Sequence, residues 1–303
     1  MAIFHATIKS HSRKPTNNNK GSLLSIVAYR CGIKIRDEKL NLEFDFSKKS
    51  DVRENFLVFS KKFEGAYLAE GGRIDDIPAF WATQDKKELK VNSNHSREWE
   101  LALPCELSRE QQRELAEKFA VEFCEIHDVA GSVSVHNGRK KRSKNCDVDD
   151  DIQNNHCHFL YTTRDSNGDK TRQFNDHPEK KIVTEEGRLL WENLCNAALK
   201  NAGSDARVSR LSNADRGITE APGYHTGPNE RDWKLSSEEH QRRKNAAKKK
   251  HDDRLKKINE RKLQDSRIFA IKQAEIEQMN DVLLGQRAIA DQLNYDIQKK
   301  RMS

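Results

Sequence analysis

Asn154-Asn155-His156-Cys157-His158-Phe159-Leu160-Tyr161-Thr162-Thr163 is the stretch on which the fold turns. An apolar, aromatic run of this length reads as a strand, and the period-two geometry of a strand puts His156 and His158 on one face and Cys157 on the other. Upstream, Val129, Gly131, Val133 and Val135 alternate with Ala130, Ser132, Ser134 and His136. This second strand ends on a histidine, and the two strands are expected to pair antiparallel across a long loop, Asn137 to Asn155. His136 then shares a face with His156 and His158. The loop runs basic (RKKRSK) and then acidic (DVDDD).

Working outward, Glu98-Trp99-Glu100-Leu101-Ala102-Leu103 alternates as a strand stopped by Pro104, with Trp99, Leu101 and Leu103 on one face and Glu98 and Glu100 on the other. Ser108-Arg109-Glu110-Gln111 has the form of a capping box, and Leu115, Phe119 and Phe123 recur every four residues, so a helix is expected over 108–126. Residues 2–9 alternate as a buried first strand. Leu23, Ile26, Val27 and Arg30 have helical spacing, which sets Tyr29 toward the flank of the apolar stripe. A further helix is expected around 184–201. Residues 35–95, with Pro78 and Trp81 as landmarks, do not order themselves by pattern.

From about residue 234 the character changes. Residues 235–303 have no proline, one glycine, dense Lys, Arg, Glu and Gln and a sparse apolar stripe (Ile258, Ile268, Ile271, Met279, Leu283, Ile297), which predicts a long helix or helical hairpin. The expected division is therefore 1–233 and 234–303. The expected fold class is α+β, a two-layer arrangement of a central antiparallel sheet and flanking helices with a long helical extension.

The chain has 303 residues, 34% of them charged, with net charge +7 and a pI near 9.0. That balance favours a polyanionic partner such as nucleic acid. The six cysteines form no C-x-x-C pair, so neither a zinc knuckle nor a disulfide framework is indicated, and reduced thiols are expected. Neither a leader-like apolar segment nor a run of ~18 apolar residues is present, and a cytoplasmic location is expected.

Three neutral imidazoles on one face leave coordination positions open for substrate oxygens, the arrangement of a catalytic divalent ion rather than a closed structural site. The bland alternative is a polar, solvated sheet face. Tyrosine, with an ordinary pKa near 10, serves as nucleophile where a covalent bond to the substrate must be kept, and a nearby cation assists it.

The opening MAIFHATIKSHSR, the SIVAYR helix, the REWELALP strand, the SREQQRELAEKFA helix, the SVHNG and NNHCHFLYTT strands and AGSDARVS…GITEAPGYHTGP together resemble the MobA/MobL (MobQ-type) plasmid mobilisation relaxases of the HUH endonuclease superfamily, from Met1 to about Trp233. The resemblance implies that Tyr29 is the nucleophile, that His136, His156 and His158 hold a divalent metal ion (Mg²⁺ or Mn²⁺), and that Glu100 is the acidic residue near the site, able to orient a ligand histidine. It implies nicking of one DNA strand at a transfer origin through a 5′-phosphotyrosyl intermediate. The implied partners are single-stranded or supercoiled origin DNA, accessory mobilisation proteins and a type IV secretion coupling apparatus. The family's N-P-H-A-H pattern is departed from at Asn155 and Cys157. His225 lies in a matched segment without an assigned task. The run Arg139, Lys140, Lys141, Arg142 and Lys144 beside His136 is the local candidate for phosphate contacts. Two other readings stand beside this one: a rolling-circle replication initiator, in which a tyrosine after the H-x-H strand, here Tyr161, would attack; and a non-catalytic origin-binding accessory protein.

Overall fold

The computed structural model describes residues 3–15, 21–88, 90, 93–138, 154–175, 177–222 and 237–301. It divides into two compact units, Met1–Arg210 and Leu211–Ser303. The basic run 139–144, the acidic residues 147–151 and His225 lie outside the described residues.

The first unit is built on a five-stranded antiparallel sheet of order β1 (Ala6–Ser12), β5 (Asn94–Ala102), β7 (His156–Thr162), β6 (Ala130–His136) and β4 (Val52–Phe59). The H-x-H strand is central, and all of it but His156 is buried. A central strand buried on both faces cannot show a clean polar/apolar alternation, which explains the nearly continuous run Phe159-Leu160-Tyr161. β6 and β7 pair as expected, with His136 directly opposite His156. The first strand differs from expectation. It starts at Ala6 rather than residue 2 and occupies a sheet edge, so of its seven residues only Ala6 is buried.

Helices cover both faces. On one side α4 (Arg109–His127), the short α5 (Arg172–Asn175) and α6 (His177–Asn201) bury Leu115, Phe119, Phe123, Phe174, Trp191, Leu194 and Leu199 against Trp99, Leu101, Val133, Val135, Phe159 and Tyr161. Trp99 meets Phe119 and Phe123 edge-on, at 5.9 and 6.1 Å between ring centroids. Gly187 on α6 makes that approach possible, because a Cβ there would lie 2.4 Å from Trp99 Cζ2. α4 starts at Ser108 with both hydrogen bonds of the capping box in place.

On the other side α1 (Leu23–Cys31), α2 (Lys61–Ala69) and α3 (Ile77–Lys86) cover the second face, and β2 (Lys34–Asp37) and β3 (Leu42–Asp45) form a separate hairpin. Their apolar side chains, among them Leu23, Val27, Phe63, Phe80 and Trp81, cluster with Ala130 and Leu160 from the centre of the sheet. Trp81 instead donates its indole N–H to Ser132 Oγ, 2.9 Å away. α1 is capped by Ser22 and ended by Gly32, which takes the left-handed conformation (φ 62).

The second unit holds α7 (Ser237–Arg301), a single 65-residue helix rather than a hairpin. Within that unit Arg254 pairs with Asp215 at 2.9 Å and the His251 ring donates to the Thr219 carbonyl at 3.2 Å. No helix among the described residues is long and apolar enough to cross a membrane.

Candidate metal centre

Sheet register does the assembly. With His136 across from His156, and His158 two residues along the same strand, the three rings share one face, with centroids 5.3, 4.8 and 5.0 Å apart. Each ring offers a nitrogen within 4.8 Å of the others.

One nitrogen of each ring is already engaged. His158 Nδ1 lies 2.6 Å from Glu98 Oε1, His156 Nδ1 lies 3.1 Å from the Asn154 carbonyl, and His136 Nε2 lies 2.7 Å from the Arg30 carbonyl. Carbonyl and carboxylate oxygens only accept, so each ring donates there and keeps its remaining lone pair for a ligand. Burial, reinforced by the neighbouring His158 charge, pulls the His136 pKa down to about 3, and burial also lowers that of His158 against the pull of Glu98. Both rings are therefore neutral at pH 7, the form a metal requires. The donor set fits a divalent cation with positions left open.

The carboxylate hydrogen-bonded to the cluster is Glu98. In register Glu100 stands opposite His158, yet Glu100 turns to Lys9 and leaves His158 to Glu98. Glu98 is fully buried. Burial alone would raise its pKa, but hydrogen bonds from His11 (2.7 Å) and His158 and the Arg30 guanidinium (3.0 Å) outweigh it and hold the group ionised well below the usual carboxylate range. Glu98, Glu100 and His158 also form a second group of converging ligand atoms. The task expected of Glu100, orienting a ligand histidine, falls by geometry to its neighbour two residues back. The sequence shows both acids on the right face; it does not show the diagonal reach that selects one.

Asn155 stands at the family's proline position and is buried. Its side chain accepts from Gly138 N at 3.1 Å and donates to Gln112 at 3.2 Å, while its carbonyl accepts from Leu103 N at 2.9 Å. These bonds fix the entry to His156 from both ends of the long loop. Cys157 faces the apolar core, and burial pushes its thiol up to about 12, so it is not a ligand.

Tyr29 lies in the last turn of α1 and is 45% exposed. The next residue, Arg30, touches the cluster twice, through its carbonyl to His136 and its guanidinium to Glu98. Phe46 meets the Tyr29 ring edge-on at 5.3 Å, and Lys49 Nζ sits 4.2 Å from the ring centroid. Tyr161 is the opposite case. It is fully buried on the other face of the sheet, and burial raises its phenol well above the usual range.

A mixed sheet-and-helix fold with a three-histidine centre and a helix-borne tyrosine defines a class, and comparison gives the family. The MobA/MobL family matches residues 22–236, and the chain belongs to that family. It is 28% identical over 250 residues to a protein named "Mobilization protein MobL" from Acidithiobacillus ferridurans, covering 75% of this chain and 62% of that one. It is also 28% identical over 251 residues to "Mobilization protein A" from Escherichia coli, covering 76% of this chain and 30% of that one. The chain thus spans less than two thirds of these relatives. A solved structure titled "Molecular Basis of Vancomycin Resistance Transfer in Staphylococcus aureus" superposes with a TM-score of 0.54 at 25% identity, covering 70% of this chain and 100% of that one.

Proposed function

We propose that this chain is a plasmid mobilisation relaxase, a metal-dependent enzyme that nicks and recloses one DNA strand at a transfer origin, with Tyr29 as nucleophile. The observation that carries the reading is the tie between nucleophile and centre. One turn of α1 presents an exposed tyrosine and, at the next residue, binds both His136 and the carboxylate that orients His158.

His136, His156 and His158 would hold the ion, which supplies Lewis-acid polarisation of the scissile phosphate. Nitrogen donors favour Mn²⁺ over Mg²⁺. The rest is done by the chain. α1 presents Tyr29 as a partly exposed side chain; Oη forms the bond to phosphorus and releases its proton to water while the P–O3′ bond breaks and the 3′ oxygen takes up a proton. Reversal recloses the strand. Glu98 holds the His158 ring in one tautomer and orientation, and Glu100, bound to Lys9, lines the same face.

The buried Tyr161 speaks against the replication-initiator arrangement, since a fully buried phenol facing the core cannot attack DNA. Residues 1–233 are read as the relaxase domain, in keeping with the family match, and 234–303 as a basic helical arm for DNA or for partners of the transfer apparatus. The run Arg139, Lys140, Lys141, Arg142 and Lys144 is proposed for phosphate contact, in a cytoplasmic protein.

The test uses supercoiled DNA of the replicon that carries the gene, incubated with wild type or Tyr29→Phe in Mn²⁺, Mg²⁺ or EDTA and then denatured in SDS. Metal-dependent, protein-linked nicks from wild type alone support the reading. Binding without nicking by either protein under any metal would point to an origin-binding protein instead.

A further inference from the structure

Tyr29 is flanked by two cations. The Arg30 guanidinium lies 5.4 Å from its ring centroid and the Lys49 ammonium 4.2 Å. Their charges are satisfied differently. Arg30 pairs with the fully buried Glu98 at 3.0 Å, so its charge is spent inside the protein. Lys49 donates to the Tyr29 carbonyl at 3.0 Å, and the carboxylate nearest it, Asp51, is 3.6 Å away and 42% exposed. Lys49 itself is only 17% exposed along its side chain. Burial lowers its pKa against the opposing pull of Asp51, with Arg30 adding a smaller repulsion.

The segment that carries Lys49 is held in place. Lys49 N bonds the Phe46 carbonyl at 3.0 Å, and the Asp51 carbonyl accepts from Asn137 N at 2.8 Å, one residue beyond the ligand His136. Asp51 Oδ2 lies 3.9 Å from His136 Nδ1. A largely buried ammonium beside the exposed Tyr29, in a segment whose Asp51 reaches the histidine centre, is a site for an anionic oxygen.

We propose that Lys49 is a catalytic residue that donates a hydrogen bond to a non-bridging oxygen of the phosphodiester under attack by Tyr29, an inference that rests on the relaxase reading. Its proton stays on nitrogen throughout; the ammonium offsets charge that builds on the phosphate while the Tyr29 Oη–P bond forms and the P–O3′ bond breaks. A purely structural Lys49, one that only caps the last turn of α1, would change stability and leave turnover alone.

The experiment compares wild type with Lys49→Met, Lys49→Gln and Lys49→Arg on the same supercoiled replicon DNA with Mn²⁺. Initial nicking rates are read against DNA concentration, and folding is checked by circular dichroism. The expected result is a kcat lowered about 10²-fold in whichever neutral variant folds, with KM within about threefold and recovery to within about tenfold in Lys49→Arg. Neutral variants that nick within threefold of wild type, or that lose only KM, overturn the proposal while leaving the relaxase reading intact. A wild type that does not nick overturns both.

Discussion

The two faces of the central sheet are made by the same strands and obey opposite rules. The face under α4 and α6 is dry: Trp99, Leu101, Val133, Val135, Phe159 and Tyr161 interlock with Phe119, Phe123 and Trp191. Shifted by one residue along each strand, the other face carries Glu98, Ser132, Ser134, His136, His156 and His158, all buried except the half-buried His156. One face stores stability and the other holds ionisable groups where water would stabilise them better. Because α1 to α3 cover part of this polar face, its groups must satisfy one another, and the three rings become pre-aimed ligands as a result.

If the division is real, damage to the two faces separates. On the dry face, Trp99→Ala removes the ring that α6 packs against at Gly187, and about 3–5 kcal/mol of unfolding free energy is expected to go with it, measured by urea titration. Metal affinity should change only as far as the fold loosens. On the polar face, Glu98→Gln keeps the shape and removes the charge that orients His158. Metal affinity by calorimetry should fall about 10–100-fold, and Glu100→Gln should cost much less because Glu100 is bound to Lys9.

An effect of similar size to that of Glu98→Gln is expected from pH over the window 6.5 to 5. Buried His95, beside His11, Arg13 and Lys170, has a pKa lowered to about 3, with burial as the chief cause. Its folded value lies below the unfolded one, so stability is complete above pH ~6.5 and declines as pH falls toward 3, by roughly 1.4 kcal/mol per unit. Glu98, whose pKa is also lowered, contributes stability that is lost only below the ordinary carboxylate range. The window from pH 6.5 to 5 in EDTA therefore reports histidines, and His95→Gln should reduce the slope there. Smallest is Ser108→Ala, which removes the cap of α4 at a cost of about 1 kcal/mol.

The same contrast marks what the sequence could say. Elements with one long, regular signal were legible: the capping box and four-residue apolar period of α4, the Trp99/Leu101 alternation of β5, and the paired strands of the histidines. The segment 35–95 was not. β4 sits at the sheet edge with Phe56 and Val58 packed on one side and Leu57 and Phe59 on the other, which erases alternation. α2 and α3 have nine and ten residues, too few for a period to stand out. At the site, the meeting of the three histidines followed from strand periodicity, because His136, His156 and His158 need only register to come together. Glu98 and Lys49 did not: the first is selected over Glu100 by a diagonal contact, the second reaches Tyr29 from twenty residues away through a loop between two strands.

The most direct test of the account is to digest the SDS-stable protein–DNA product with trypsin and nuclease and sequence the modified peptide by mass spectrometry. A 5′-phosphonucleotide on Tyr29 is predicted. Attachment at any other tyrosine, Tyr161 included, or at no residue would contradict it.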